Sequence, residues 1–309
     1  MKLAHLLPTA AASLALIAAS PALADAHMET AQAEAETVLP AGPEGPALWK
    51  VSDEDTTIYL FGTVHILPKE LQWYDAEIDA ALSSSDLVVT ELMESPENEA
   101  KSQQLAMQMG MLEPGTTLRS LLDEEQTAQY EAALAGLGVP EAAFDPFKPW
   151  MASVTLTFLP LMANGYDPAS GVDKVIIAKA GDTSKDALET VEFQLGIFDS
   201  LPQDEQLKLL MSTVEGVEEV KTMIDTMVDS WIKGDADGLA ETMNESMSES
   251  PELAEALLYE RNANWAEWID ARMDEPGTVF VAVGAGHLAG EMSVQDYLTK
   301  YDLTAERIQ

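Results

Sequence analysis

The stretch FVAVGAGHLAG, residues 280–290, decides how the chain is read. Apolar β-branched and small residues run without a polar break into Gly284, Ala285, Gly286 and His287. This is the pattern of a buried strand that stops abruptly on a chemically active side chain. A second version lies upstream in YLFGTVHIL, residues 59–67, where Gly62 precedes His65 by three positions. The chain has four histidines, of which His5 and His27 lie near the N-terminus. The other two close these G-x-x-H segments.

Working outward, ALWKV and TTIYLFG read as two β-rich runs joined across Ser52, Asp53, Glu54 and Asp55 in a hairpin. Residues 73–82 predict a short helix, and 86–91 a buried strand that ends on the carboxylate of Glu91. From about 96 to 271 the pattern is mostly helical. SLLDEEQTAQYEAALAGLG, for example, spaces its apolar residues by three and four and stops at glycine. A strand candidate near 187–191 interrupts this region, and strand character returns at 278–283. Residues 294–303 predict a last helix with a short strand after it. The expected fold is α/β: a central sheet with paired G-x-x-H strand ends and a large helical middle region. One pair of short matches does not establish an internal repeat.

Residues 1–24 have the form of an export signal: Lys2, then an apolar stretch containing ALIAAS, then the small-residue site Ala22-Leu23-Ala24. A cut after Ala26 fits as well. Residues 25–46, rich in Ala, Glu, Pro and Gly, read as a flexible leader, and 47–309 as a single domain. The absence of cysteine excludes disulfides, thiolate metal ligands and a lipid-anchored lipoprotein. After signal cleavage no segment reads as transmembrane; the most apolar, 151–162, is interrupted by Pro160 and hydroxyl residues. The expected location is periplasmic or secreted. A net charge of −38 argues against nucleic acid and anionic membrane as partners but does not identify a function. The expected partner, a peptide or small-molecule substrate, rests on the site residues and on a family resemblance. Oligomeric state is not legible.

Ligand sites in open α/β sheets form outside the carboxyl ends of strands, where His65, Glu91 and His287 all fall. Two imidazoles and a carboxylate suit a divalent metal with an open position for water. The glycines, Gly62 and Gly284, are read as permitting a sharp turn and leaving room for substrate. Arg261 is one of four arginines and lies on an apolar helical stripe with Trp265 and Trp268, where a guanidinium could stabilise an oxyanion or simply pair with an acid. Asp173 and Glu189 are further pocket candidates among 54 acids. The plain alternative is two structural histidines and a surface glutamate.

The ordered series LFGTVH, VVTELM, KPW (148–150), GVDK, LETVEFQ, ERN (260–262) and VAVGAGHLAG resembles the TraB/PrgY/GumN family, most closely its GumN-like periplasmic members. The resemblance covers about 47–307. It implies an α/β fold, related to the animal Tiki metalloproteases and more distantly to erythromycin-esterase-like hydrolases. It also implies a site at His65, His287 and Glu91, with Arg261 in the helix before the last strand. Tiki proteins imply peptide cleavage with a divalent metal, manganese, cobalt or zinc being the candidates here.

Three readings follow. The first is a periplasmic metal-dependent, peptidase-like hydrolase with His65, Glu91 and His287 on the metal and Arg261 on developing charge. The second is a metal-free His/Glu hydrolase of an ester or lactone. The third is a protein that binds a peptide or small ligand without turnover. Each expects His65, His287 and Glu91 to converge over one cleft.

Overall fold

The computed structural model describes residues 45–247 and 251–309. The expected export signal, and the leader up to residue 44, lie outside the described residues. The chain divides into two compact units. One combines Ser95–Tyr166 with Val191–Met223; the other combines the described part of Thr37–Glu94 with Asp167–Thr190 and Ile224–Gln309.

In chain order the strands that form the sheet are β1 (Leu48–Ser52), β2 (Thr56–Thr63), β3 (Leu87–Thr90), β4 (Ser184–Ala187), β5 (Gly277–Gly284) and β6 (Glu306–Arg307). The first helices are α1 (Ala76–Ser83), α2 (Pro96–Gly110), α3 (Glu124–Gly136), α4 (Pro149–Ala163) and α5 (Val172–Lys179). They are followed by α6 (Val191–Asp199), α7 (Gln203–Gly216), α8 (Val220–Ile232), α9 (Ala236–Met247), α10 (Glu260–Met273) and α11 (Val294–Leu298).

The sheet belongs to the second unit and has the order β4-β3-β5-β2-β1-β6. Its centre is parallel, β4 to β3 to β5 to β2, while β1 and β6 add antiparallel edges. The expected hairpin joins β1 to β2, its turn closed by Asp53, whose carboxylate accepts from the Asp55 and Thr56 amides. Parallel strands covered on both faces need unbroken apolar sequence, which explains the composition of β5. The protein is thus a mixed α/β molecule with a central, mostly parallel sheet.

Strand alternation sorts the core into two faces. Ile58, Leu60, Val89, Val279, Val281 and Val283 pack with Trp265, Ala266, Ile269 and Met273 of α10 and with Val294 and Leu298 of α11. The intervening residues form an aromatic stack: Phe61 lies 5.8 Å from Phe280 and 5.9 Å from Trp73, which meets Trp231 edge-on at 5.7 Å.

Boundaries differ from the sequence reading where local hydrogen bonds intervene. Helix α1 starts at Ala76 rather than 73 because the Asp75 carboxylate caps it, accepting from the amides of Glu77 and Ile78. The strand expected near 187–191 is β4, Ser184–Ala187; Val191 already opens α6. The C-terminal helix ends at Leu298, passes through a 3-10 turn, and stops at Asp302 in the left-handed region before β6.

The helical unit has its own core of Leu118, Tyr130, Leu134, Phe144, Ala152, Leu156, Leu210 and Val214. Asp123 and Gln126 close a reciprocal capping box at the start of α3, as that segment's sequence demands.

Phe280 is fully buried in the aromatic stack. Phe280→Ala should therefore destabilise the protein by about 3–5 kcal/mol in urea unfolding, a central-sheet cavity being unable to collapse.

Candidate functional site

Parallel pairing brings several strand ends to one edge of the sheet. Thr63 of β2 is in register with Gly284 of β5, and Thr90 of β3 with Ala282. His65 follows β2 by two residues and Glu91 follows β3 directly. His287 sits in the 3-10 turn Ala285–Leu288 at the end of β5. Beyond β4 the backbone stays alongside β3, the Leu188 and Glu189 amides donating to the carbonyls of Thr90 and Glu91. That delivers Glu189 beside Glu91. Helix α10 leads into β5 from the opposite direction, so its first turn, with Arg261 and Asn262, lies over these same ends. A π-turn, Glu255–Tyr259, precedes it.

Arg261 is the hub, with its side chain 1 % exposed. Its Nε and Nη2 donate side-on to the two oxygens of Glu189 at 2.8 and 2.9 Å, and Nη2 donates also to Glu91 Oε2 at 2.6 Å. Its Nη1 donates to the Leu257 carbonyl at 2.9 Å and lies 3.1 Å from Nε2 of His287. A guanidinium has five N–H groups, and five acceptors face them here. Arg261 accordingly offers a fixed positive charge rather than a spare donor for an oxyanion. Trp265 closes the set, its indole N–H on Glu189 at 2.9 Å and its ring beside both Arg261 and His287.

Glu91 also accepts from the Gly284 amide at 2.7 Å. Burial favours the neutral acid, yet the Arg261 charge, helped by His65 and the Gly284 amide, holds its carboxyl down to about 2. Ionised throughout the neutral range, Glu91 is no proton shuttle.

The two histidines meet opposite fates. Burial and then the Arg261 charge push His287 down to about 3, against the pull of Glu91 3.9 Å away. Burial also acts against a charged His65, but Asp173, 2.6 Å from its Nδ1, outweighs it with help from Glu91 and Glu94 and raises it to about 9. Asp173 reaches the ring from the first turn of α5, whose Val172 amide bonds to the Val64 carbonyl. His65 Nε2 is buried without a hydrogen-bond partner, and so is the hydroxyl of Thr63.

Gly284 lies at the meeting point. A Cβ there would sit 3.0 Å from Glu91 Oε1, 3.4 Å from His287 Cδ2 and 4.0 Å from His65 Nε2. The structure thus brings His65, Glu91 and His287 together, with Arg261, Asp173 and Glu189 beside them. The expected reason for the glycines needs correction. Neither Gly62 nor Gly284 is among the glycines with positive φ, so neither serves a left-handed turn. Both are small for space: a Cβ on Gly62 would press on Ala285 at 3.0 Å. Three residues were not singled out as site residues from the sequence: Asn262, Trp265 (read only as part of the apolar stripe of Arg261) and Thr63. The signal for the first two was their spacing of one and four from Arg261; for Thr63 it was its place inside G-T-V-H.

The expected metal set fits less well than the convergence. The Nε2 of His287 faces a guanidinium, and Glu91 is already bonded to that same cation, so a divalent ion between them would meet an established positive charge. Among the described residues no group of three His, Asp or Glu side chains is placed to hold a metal ion.

The TraB/PrgY/gumN family model matches residues 47–307, most of the chain. The chain belongs to the TraB/PrgY/gumN family. The family match thus spans every residue of the site, from His65 to His287. A relative, an uncharacterized protein of Treponema pallidum (strain Nichols), is 24 % identical over 268 residues, covering 82 % of this chain and 80 % of its own. No solved structure matches the chain.

The opposed shifts fix how stability depends on pH. His65, raised to about 9 in the fold, contributes stability that is complete below about 6.5 and is lost as pH rises through 9. Glu91, lowered to about 2, contributes stability present above about 4.5 and lost as pH falls through 2. His287 adds to the acid loss, because below 6.5 the unfolded chain binds a proton that the folded chain refuses until about 3. Urea midpoints should therefore peak near pH 6.5, and His65→Gln should flatten the alkaline limb while leaving the acid limb.

Proposed function

We propose that this protein is a hydrolase of a peptide or related acyl compound, with His65 Nε2 as the proton-exchanging atom and Asp173 holding the ring. The observation that carries the reading is the imidazole of His65, whose side chain is 11 % exposed. One nitrogen lies 2.6 Å from a carboxylate, and the other has no protein partner. This is the base-and-orienter arrangement of acyl transfer. Neutral His65 takes a proton from water as the water oxygen bonds to the acyl carbon. The imidazolium so formed, balanced by Asp173, returns that proton to the departing amine or alcohol as the acyl bond breaks. Glu91 contributes negative potential that strengthens His65 as a base, and Arg261 keeps Glu91 ionised. The unpartnered Thr63 hydroxyl at the same sheet edge is the candidate donor to the acyl oxygen.

A second reading keeps a metal. A histidine with one nitrogen on a carboxylate and the other open also has the posture of a metal ligand. The likeness to Tiki metalloproteases, in fold detail as in chemistry, belongs with that reading, and manganese, cobalt or zinc remain its candidates. It requires His287 to give up Arg261. The proposal further includes export to the periplasm or medium, on the strength of residues 1–24. No described helix is long and apolar enough to cross a membrane.

Peptide and ester libraries, assayed after dialysis against a chelator, separate these readings. Turnover should survive chelation; complete loss with rescue by one metal would move the assignment to the metal reading. Saturable binding with no product at any pH would make the protein a binder.

The pH profile tests His65 itself. Only the neutral ring accepts a proton, so kcat/KM should climb with pH and level off near the raised value of about 9. Asp173→Asn removes the partner that raises it. The limb should shift towards lower pH, with activity reduced by about 10²–10⁴-fold, the usual worth of a positioned acid–base group. An unmoved limb would remove His65 from the proton-transfer role.

A further inference from the structure

We infer that the two G-x-x-H histidines do different work: His65 faces the ligand, whereas His287 is a positioning residue that seats the Arg261 guanidinium, with Asn262 dictating its tautomer. The inference deepens the site reading above.

The chain of reasoning begins at a backbone carbonyl. Asn262 Nδ2 donates to the carbonyl of Met292 at 2.8 Å. A carbonyl only accepts, so the amide nitrogen must point there, and Oδ1 must be the atom 2.6 Å from Nδ1 of His287. That oxygen also only accepts, so Nδ1 carries the hydrogen. The neutral ring then has its lone pair on Nε2, 3.1 Å from the donor Nη1 of Arg261. The opposite tautomer would set N–H against N–H at Nε2 and lone pair against lone pair at Nδ1. A doubly protonated ring would add a second positive charge beside a guanidinium.

The holding parts are themselves over-determined. Asn262 is 1 % exposed and His287 2 % exposed, with the Trp265 ring 4.3 Å from the imidazole. Met292 occupies the left-handed region at φ 58, uncommon for a side chain of its size. It is fixed from both sides, its amide on Asp296 at 2.8 Å and its carbonyl on Asn262. Strain of this kind persists where surrounding bonds demand it. His65 contrasts at both nitrogens: its Nδ1 rests on a carboxylate, and its Nε2 has no hydrogen-bond partner. Two segments that look equivalent in sequence therefore supply one acting ring and one holding ring.

The test reads tautomers and needs no substrate, so it can fail while the hydrolase reading stands, and the reverse. In the full chain labelled with 15N-histidine, long-range proton–nitrogen spectra distinguish Nδ1–H from Nε2–H rings, and His287→Gln assigns the signal. The expected result is a single Nδ1–H tautomer for His287, unchanged at Nε2 when zinc is added. Asn262→Leu, which removes the acceptor, should lose that single tautomer. An Nε2–H ring in the unaltered protein, a coordination shift of Nε2 with zinc, or an unchanged tautomer in folded Asn262→Leu would each overturn the assignment. Should Asn262→Leu fail to fold, the unaltered protein and the zinc titration decide.

Discussion

A buried arginine cannot be left partly paired, and the site is organised around that constraint. Taking the Arg261 guanidinium out of water costs several kcal/mol even after relaxation, which only close partners at its N–H groups offset. Glu91, Glu189, the Leu257 carbonyl and Nε2 of His287 are those partners. Each comes from a different element, so strand ends, π-turn and 3-10 turn must all be in place together. Such a pair is weak evidence for extra stability but a strong determinant of geometry. Removing any one acceptor leaves a buried donor, and removing the arginine leaves two buried carboxylates.

What allows the partners to meet is the parallel centre of the sheet. In a parallel array the strands end on the same side, and the helix leading into β5 begins there. The stripe Trp265, Ala266, Ile269 and Met273 holds α10 on the apolar face, each fully buried large side chain worth about 1.5–3 kcal/mol. One turn before Trp265 the same stripe passes the strand ends, and the residue there is Arg261. Hydrophobic packing thus sets where the charge falls.

The two histidines then acquire different chemistry from their neighbours. His287 is buried and the His65 side chain is 11 % exposed, and in both desolvation disfavours the protonated ring. His65 faces Asp173 and is driven up; His287 faces Arg261 and is driven down. Divergent proton affinities in side chains of one type accord with the proposed division of labour, in which one ring moves protons and the other keeps a partner in place.

The sheet was legible because its signals are local. An apolar run cut by small residues, a four-residue turn with Asp53, and a strand ending on Glu91 need no knowledge of distant contacts. For the same reason His65, Glu91, Arg261 and His287 could be singled out by scarcity and by position at strand ends. Other features depend on atoms far apart in sequence. Asp173 and Glu189 were weak pocket candidates among 54 acids until the fold set one on His65 and the other on Arg261. Asn262 had no signal beyond adjacency to Arg261, since its meaning comes from the Met292 carbonyl and the His287 ring. The sequence by itself determined an α/β fold with two histidines at strand ends, because periodicity and strand termination are written in neighbouring residues. Which histidine keeps an open nitrogen was decided only by the tertiary structure, because proton affinity and tautomer are set by the charges and acceptors that folding brings within about 3 Å.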